Sequence, residues 1–212
     1  MPPLRLITLS RQFGAGASEL AALLGARLGW RVIDRELVSE VARRLAVPAP
    51  AVEAHEERVE ALADRVGLVL ADSFPEMLLP PWPPERVTAA EVARVVEAVL
   101  GEVLRELPAI VVGFGAQCLC ARRDDALHLR LQAPLRARTA RAVARLGIAP
   151  EEAVEEAARR DDERRAYVRH HYGRDPDDPS LYHLVVDTAA VPLPALADLV
   201  VALVRARERP GG

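Results

Sequence analysis

Residues Ile7–Leu37 read ITLSRQFGAGASELAALLGARLGWRVIDREL, and the fold follows from how this stretch divides. Leu4–Leu9 is a short apolar run closed by Ser10 and a glycine-containing loop, which predicts a buried strand. Between Ser18 and Leu28, the leucines at 20, 23, 24 and 28 fall on one helical stripe, and Gly29 supplies the stop. WRVID predicts a second strand ending at Asp34, with a helix beyond it to about Leu45. Strand, glycine turn, helix and strand in this order make a βαβ unit, which requires a parallel sheet.

Outward from this unit the alternation continues. Ala49–Leu70 predicts a charged amphipathic helix with Pro50 in its first turn. SFPEMLLPPWPPERV, at 73–87, has prolines that remove donors and fix φ, so it is a loop; it carries Met77, Leu78, Leu79 and Trp82. That loop is read either as a substrate cover or homodimer contact, or as a segment packed on its own domain. Thr88–Glu91 has capping-box spacing and predicts a helix to about Leu107. AIVVGFG at 109–115 predicts a central strand, ALHLRLQ at 126–132 another, and YHLVVDT at 182–188 a fifth. Helices are expected from Pro134 to Leu146, onward from Pro150, and over 192–207. Five strands interleaved with helices predict a doubly wound α/β fold with helical insertions.

With 212 residues, one compact domain is expected. Aromatics make up only 4% of a half-hydrophobic chain, so the core must be built from Ala, Val and Leu. A net charge of −3 offers no broad basic footprint, and no nucleic-acid partner is expected. All 28 Lys-or-Arg residues are arginine. Any phosphate must therefore be met by arginine forks and backbone amides. Cys118 and Cys120 form a lone C-x-C without the further ligands a zinc site needs, and read as small buried side chains. The adjacent His170 and His171 point about 100° apart on a helix and are assigned no metal. The N-terminus turns polar too soon for a signal peptide and no apolar run reaches spanning length, so a cytoplasmic protein with no membrane partner is expected.

Gly14 and Gly16 stand between a strand and a helix start, where positive φ and close approach let backbone amides meet an anion. Ser18 is placed to offer its hydroxyl to phosphate or Mg²⁺. The dinucleotide pattern G-x-G-x-x-G fails because Glu19 stands at its third glycine. The phosphate-loop pattern G-x-x-x-x-G-K-[ST] fits better at its end, which reads Gly16-Ala17-Ser18 with alanine in the lysine slot. Arg11 is the only permanent cation in the loop, available to phosphate oxygens or to a neighbouring carboxylate. Further on, RRDDERRAYVRHHYGR at 159–174 places Arg160 and Arg164 on one helical face, with Arg165 a step round and Arg169 four beyond it. This row could close over phosphates, or lie solvated against Glu155, Glu156, Asp161 and Asp162. Asp187, ending the last strand, lies at the ligand-binding edge of the sheet or caps the next turn.

The opening stretch resembles the cytidylate kinase-like family, whose loop reads S-R-x-[FY]-G-[SA]-G with a small residue in the lysine slot. The resemblance continues in IVVGFGA, LHLRLQAPLRARTARAVARLGI, EEAARRDDERRAYVRHHYG and DPSLYHLVVDT. It implies a P-loop kinase three-layer fold, with a five-stranded parallel sheet flanked by helices. Residues 1–48 and 108–212 would form the core, 49–107 a helical substrate-binding insertion and 150–180 a lid. It implies ATP with Mg²⁺ as phosphoryl donor and a nucleotide or small-molecule acceptor. Gly14, Ala15, Gly16, Ala17 and Ser18 match the phosphate loop, Ser18 being the metal ligand. Asp34 matches the acid ending the second strand, with Arg35 beside it, and Arg160, Asp161 and Asp162 match the R-D-D of the lid. Arg11, Arg160, Arg164 and Arg165 become the expected catalytic cations, and Asp34, Arg35 and Asp162 the expected acceptor-binding residues. Against cytidylate kinase itself three departures stand out: Ala17 in the loop, DRELVSE ending in Glu40 after the second strand, and Val112-Gly113-Phe114-Gly115 where E-G-R-D would end the third. The expected function is phosphoryl transfer to a CMP-like acceptor. The alternatives are a non-catalytic nucleotide sensor and a structural dimer built on MLLPPWPP.

Overall fold

The computed structural model describes residues 1–34 and 89–208. The helices expected to about Leu45 and over Ala49–Leu70, the loop at 73–87, and Arg35 lie outside those residues. The described elements are β1 (Leu6–Arg11), α1 (Ala17–Leu28), β2 (Arg31–Ile33), α2 (Ala89–Val103), β3 (Ala109–Val112), α3 (Ala116–Leu119), β4 (Ala126–Gln132), α4 (Leu135–Leu146), α5 (Pro150–Tyr172), β5 (Leu184–Asp187) and α6 (Leu193–Glu208). All pairings are parallel, in the order β2-β3-β1-β4-β5. This is the expected five-stranded sheet flanked by helices. No described helix is long and apolar enough to cross a membrane.

Strand alternation sorts the core into two layers. Ile7 and Leu9 of β1, with Leu129 and Leu131 of β4, pack under Leu20 and Leu24 of α1 and Leu196 and Val200 of α6. On the other face, Leu6, Ala109 and Val111 meet Val96, Val99, Leu100 and Val103 of α2. β1 does not stay apolar on that second face. Thr8 and Ser10 pair in register with His128 and Arg130, so a polar seam runs toward the carboxyl ends of the strands. There Thr8 Oγ1 lies 2.7 Å from His128 Nδ1. A third, small cluster joins Phe13 to Ala142 of α4 and to Ala153 and Ala157 of α5.

The expected strand over 109–115 is shorter in the structure. β3 ends at Val112 because Gly113, Phe114 and Gly115 all take positive φ, at 84°, 53° and 65°. A Cβ on Gly115 would lie 2.2 Å from a Tyr172 ring carbon, so only glycine fits there. The turn leads into α3, a helix too short to show a period in sequence. Likewise β1 begins at Leu6 and runs on to Arg11, while α2 stops at Val103.

Candidate functional site

The glycine loop is shaped from behind. Gly14 and Gly16 take φ of 74° and 88°. A Cβ on Gly14 would stand 2.4 Å from the Arg138 carbonyl oxygen, so the loop lies directly against α4. Three successive loop carbonyls are drawn outward by side chains. Arg138 Nη1 donates to Phe13 O at 3.0 Å, Arg141 Nη1 to Gly14 O at 3.2 Å and Thr188 Oγ1 to Ala15 O at 3.0 Å. In a planar trans peptide the C=O and the next N–H point in opposite directions. The amides of Gly14 and Gly16 are thereby turned inward, while that of Ala15 is spent closing a turn on Gln12 O at 3.2 Å. The first bond within α1 runs from Leu20 N–H to Gly16 O, which leaves the amides of Ala17, Ser18 and Glu19 at the positive end of the helix. These donors converge as an anion cradle. The lysine slot holds packing instead of charge: Ala17 is buried in the core between α1 and α6. Ser18 is half-buried in the first turn of α1.

The root of the loop is tied to α5. Phe13 N–H donates to Asp161 Oδ1 at 2.6 Å, and Arg138 Nη1 to Asp161 Oδ2 at 2.7 Å. Arg138 and Asp161 are 9% and 15% exposed, a depth at which a charge pair is screened little by solvent. Beside this clasp opens a hollow lined by Arg11, Gln12, Arg130, Asp161, Arg164, Arg165 and Asp177. A neighbouring hollow reaches Ser10, the Gly113–Gly115 turn and Tyr167. The first lies toward the carboxyl ends of β1 and β4 and the second reaches that of β3 as well, the edge where open α/β sheets bind ligands.

The expected site residues divide. Arg11, Arg164 and Arg165 come together around the first hollow. Arg164 Nη1 stands 3.7 Å from Asp161 Oδ1, while Arg165 donates to Asp177 Oδ2 at 2.9 Å and to Asp162 Oδ1 at 2.5 Å. The bond to Asp177 pushes the Arg165 guanidinium above its ordinary range. Arg160 does not join them: it lies 5.2 Å over the Phe13 ring and donates to Glu156 Oε1 at 2.5 Å. Asp162 is 74% exposed on the outer side of α5, and the acid that faces loop and hollow is Asp161. Asp34 is half-buried just beyond β2. Asp187 caps a turn, accepting from Ala189 N–H at 2.8 Å. Burial pushes both cysteine thiols up, Cys120 in the core to about 11, while Cys118 is only half-buried where the sequence suggested a buried side chain.

Arg130, Arg138, Arg141, Asp177 and Thr188 were not anticipated. Two signals were present. Arg130 is a charge inside the apolar strand ALHLRLQ. Asp161 shares a helical stripe with the buried Ala153, Ala157 and Val168.

Residues 6–190 match the model of the cytidylate kinase-like family. No curated protein matches the chain. Three solved structures superpose over nearly the whole chain. An uncharacterized protein from Eubacterium ventriosum is 14% identical, with a TM-score of 0.68 and coverage of 95% of this chain and 99% of that one. TT1252 from Thermus thermophilus is 22% identical, with a TM-score of 0.54 and coverage of 97% and 98%. Shikimate kinase from Acinetobacter baumannii, in complex with shikimate, is 14% identical, with a TM-score of 0.51 and coverage of 98% and 96%. At these identities the likeness is one of fold, that of the P-loop kinases. Since the family model covers the glycine loop, the sheet and the arginine helix together, the chain belongs to the cytidylate kinase-like family.

Proposed function

We propose that this chain is an ATP-dependent phosphotransferase acting on a nucleoside monophosphate, CMP-like, or a related small acceptor. The observation that carries the reading is the glycine loop, whose carbonyls at Phe13, Gly14 and Ala15 are all pulled outward so that amides line the cradle. Phosphoryl transfer asks a protein for positioning and positive charge rather than for a covalent catalyst. Mg·ATP, when bound, supplies the phosphoryl group and a divalent charge. The donor set fits it: the amides of Gly14, Gly16, Ala17 and Ser18 would hold the donor phosphates, with Ala15 between them, and the Ser18 hydroxyl would face the metal. Arg11, Arg164 and Arg165 would meet the transferred group from the adjoining hollow. Arg160 would serve them indirectly, through Phe13. Asp34, Arg35 and Asp162 belong to the acceptor side of this proposal. In this proposal the insertion at 49–107 would bind the acceptor and 150–180 would be the lid.

A non-catalytic nucleotide-binding protein is the second reading. It is favoured by Ala17 in the lysine slot and by the absence of an acid at the end of β3, where Val112 is followed by Gly113. A panel of nucleoside monophosphates and small hydroxyl or carboxylate acceptors with Mg·ATP, followed by ADP release, separates the two. Transfer to one acceptor supports the kinase; ATP binding without transfer to any supports the sensor. No shift in melting temperature with millimolar Mg·ATP or Mg·ADP removes both.

A further inference from the structure

Arg130 is a buried cation that the glycine loop does not use. Its strand neighbours Leu129 and Leu131 enter the core beneath α1 and α6, so alternation sends Arg130 to the opposite face of the sheet. Its side chain is 10% exposed, yet it lines both hollows. Placing a guanidinium this deep is costly unless it is paired and positioned. It is held in one orientation. Nη1 donates to Ser10 Oγ at 2.9 Å, Nη2 to Asp177 Oδ1 at 2.5 Å, and the group lies 5.9 Å from the centre of the Tyr182 ring. The Tyr182 hydroxyl, 3.2 Å from Ser10 Oγ, is itself fixed by donating to Pro176 O at 2.8 Å.

Asp177 differs from its partner in depth and attachment. It is 43% exposed, on the segment that follows α5. Its second oxygen accepts from Arg165 Nε at 2.9 Å, so one carboxylate bridges a guanidinium on the sheet and another on the arginine helix. Two arginines sharing one anion across a hollow is the arrangement that a phosphate or carboxylate group would adopt there.

We propose that Arg130 and Arg165 form an anion seat for the acceptor, and that the Asp177 carboxylate fills this seat until an anionic acceptor displaces it. The acceptor class follows: small molecules bearing a phosphate or carboxylate can exchange with Asp177, whereas neutral alcohols and sugars cannot. Assigning the seat to the acceptor rests on the kinase reading and on position. The donor's phosphates belong to the loop at the start of α1, and Arg130 stands on the face of the sheet away from α1.

The test uses the full chain, methyl phosphate as probe, and calorimetry at fixed ionic strength. A non-hydrolysable ATP analogue with Mg²⁺ is kept saturating, so that the donor seat is filled. Asp177→Asn is expected to tighten methyl phosphate binding by on the order of tenfold, because a neutral amide competes poorly for two cations. Arg130→Lys is expected to weaken it by a similar factor, since a point charge cannot reproduce the fork. Both variants should bind the ATP analogue as the wild type does. Should Arg130→Lys lose its fold, the exposed Asp177→Asn decides alone. Unchanged or weaker methyl phosphate binding by folded Asp177→Asn overturns the seat. Methyl phosphate that binds only when the analogue is absent overturns its assignment to the acceptor. If the analogue never binds, the kinase reading fails separately, and the same comparison of Asp177→Asn with wild type still upholds or overturns the seat.

Discussion

Arg11 and His128 show at the residue scale how one side chain's surroundings set what it can do. Arg11 ends β1 and lines both hollows. A charge-assisted hydrogen bond to phosphate is worth about 1.5–3 kcal/mol, so Arg11→Ala should weaken Mg·ATP binding by roughly tenfold or more. The control is Arg122→Ala, an exposed arginine remote from the loop, expected to change little. Arg27, which the helix pattern places on an exposed face, makes a poor control because it bonds Pro194 O and Asp198 and fastens α1 to α6. Equal affinities for the Arg11 and Arg122 variants would make Arg11 structural. His128 is buried beside Thr8 and stacked 5.0 Å from His183. Burial first, then the His183 charge, pushes its pKa down to about 4. The unfolded chain, titrating near 6.5, binds more protons between those values, so stability is full above that point and falls as pH drops toward 4. Denaturation at pH 7 and pH 5 should show a loss roughly 2 kcal/mol smaller in His128→Asn than in wild type. The same loss in both would mean that His128 titrates normally.

Among elements, the loop depends on α4 and on the turn after β5 more than on its own residues. Arg141 donates to Gly14 O and also to Thr188 Oγ1 and Thr188 O, at 2.8 and 2.6 Å. Thr188 in turn holds Ala15 O. Removing the Arg141 fork frees two peptide planes to rotate, and the cost should appear in phosphate affinity more than in stability, because Arg141 is only part-buried. Arg141→Ala should raise the Kd for Mg·ADP by about tenfold, the scale of one lost charge-assisted bond, while hydrogen exchange of the Gly14–Ser18 amides speeds up. Unaltered exchange with weakened binding would mean that Arg141 contacts the nucleotide directly instead of shaping the loop.

Over the whole molecule, α5 does two jobs that its sequence runs together. Its first half is fastened to the loop through Phe13, Arg138 and Asp161, while its second half presents Arg164 and Arg165 to the hollow. The arginine row therefore splits in function. Arg165→Ala should lower kcat by on the order of 10²-fold and raise the acceptor's KM, with little change in ATP affinity, as expected of a group that meets the acceptor and the developing charge but not the donor. Arg160→Ala should show a smaller kcat effect and a lower melting temperature, since it removes the cover over Phe13 and a bond to Glu156. Equal kcat losses for the two would return Arg160 to the catalytic row.

The order of strands and helices was legible because burial imposes a period on each element separately. ALHLRLQ marks β4 from Ala126 to Gln132, and the leucines of α1 mark its buried stripe. The glycine loop was legible too, since positive φ and close approach leave a mark at Gly14 and Gly16 themselves. Tertiary structure alone decided which side chains meet. The bond from Arg130 to Ser10 spans 120 residues, and that from Arg141 to Gly14 spans 127. The first exists because parallel register sets Arg130 beside Ser10, and the second because α4 packs Arg141 against the loop. In the same way, one residue's step along α5 makes Asp161 a clasp on the loop and leaves its neighbour Asp162 in solvent, a difference of about 100° that two identical letters do not show. A period along one element constrains only that element, whereas contacts between elements are set by how the completed layers pack.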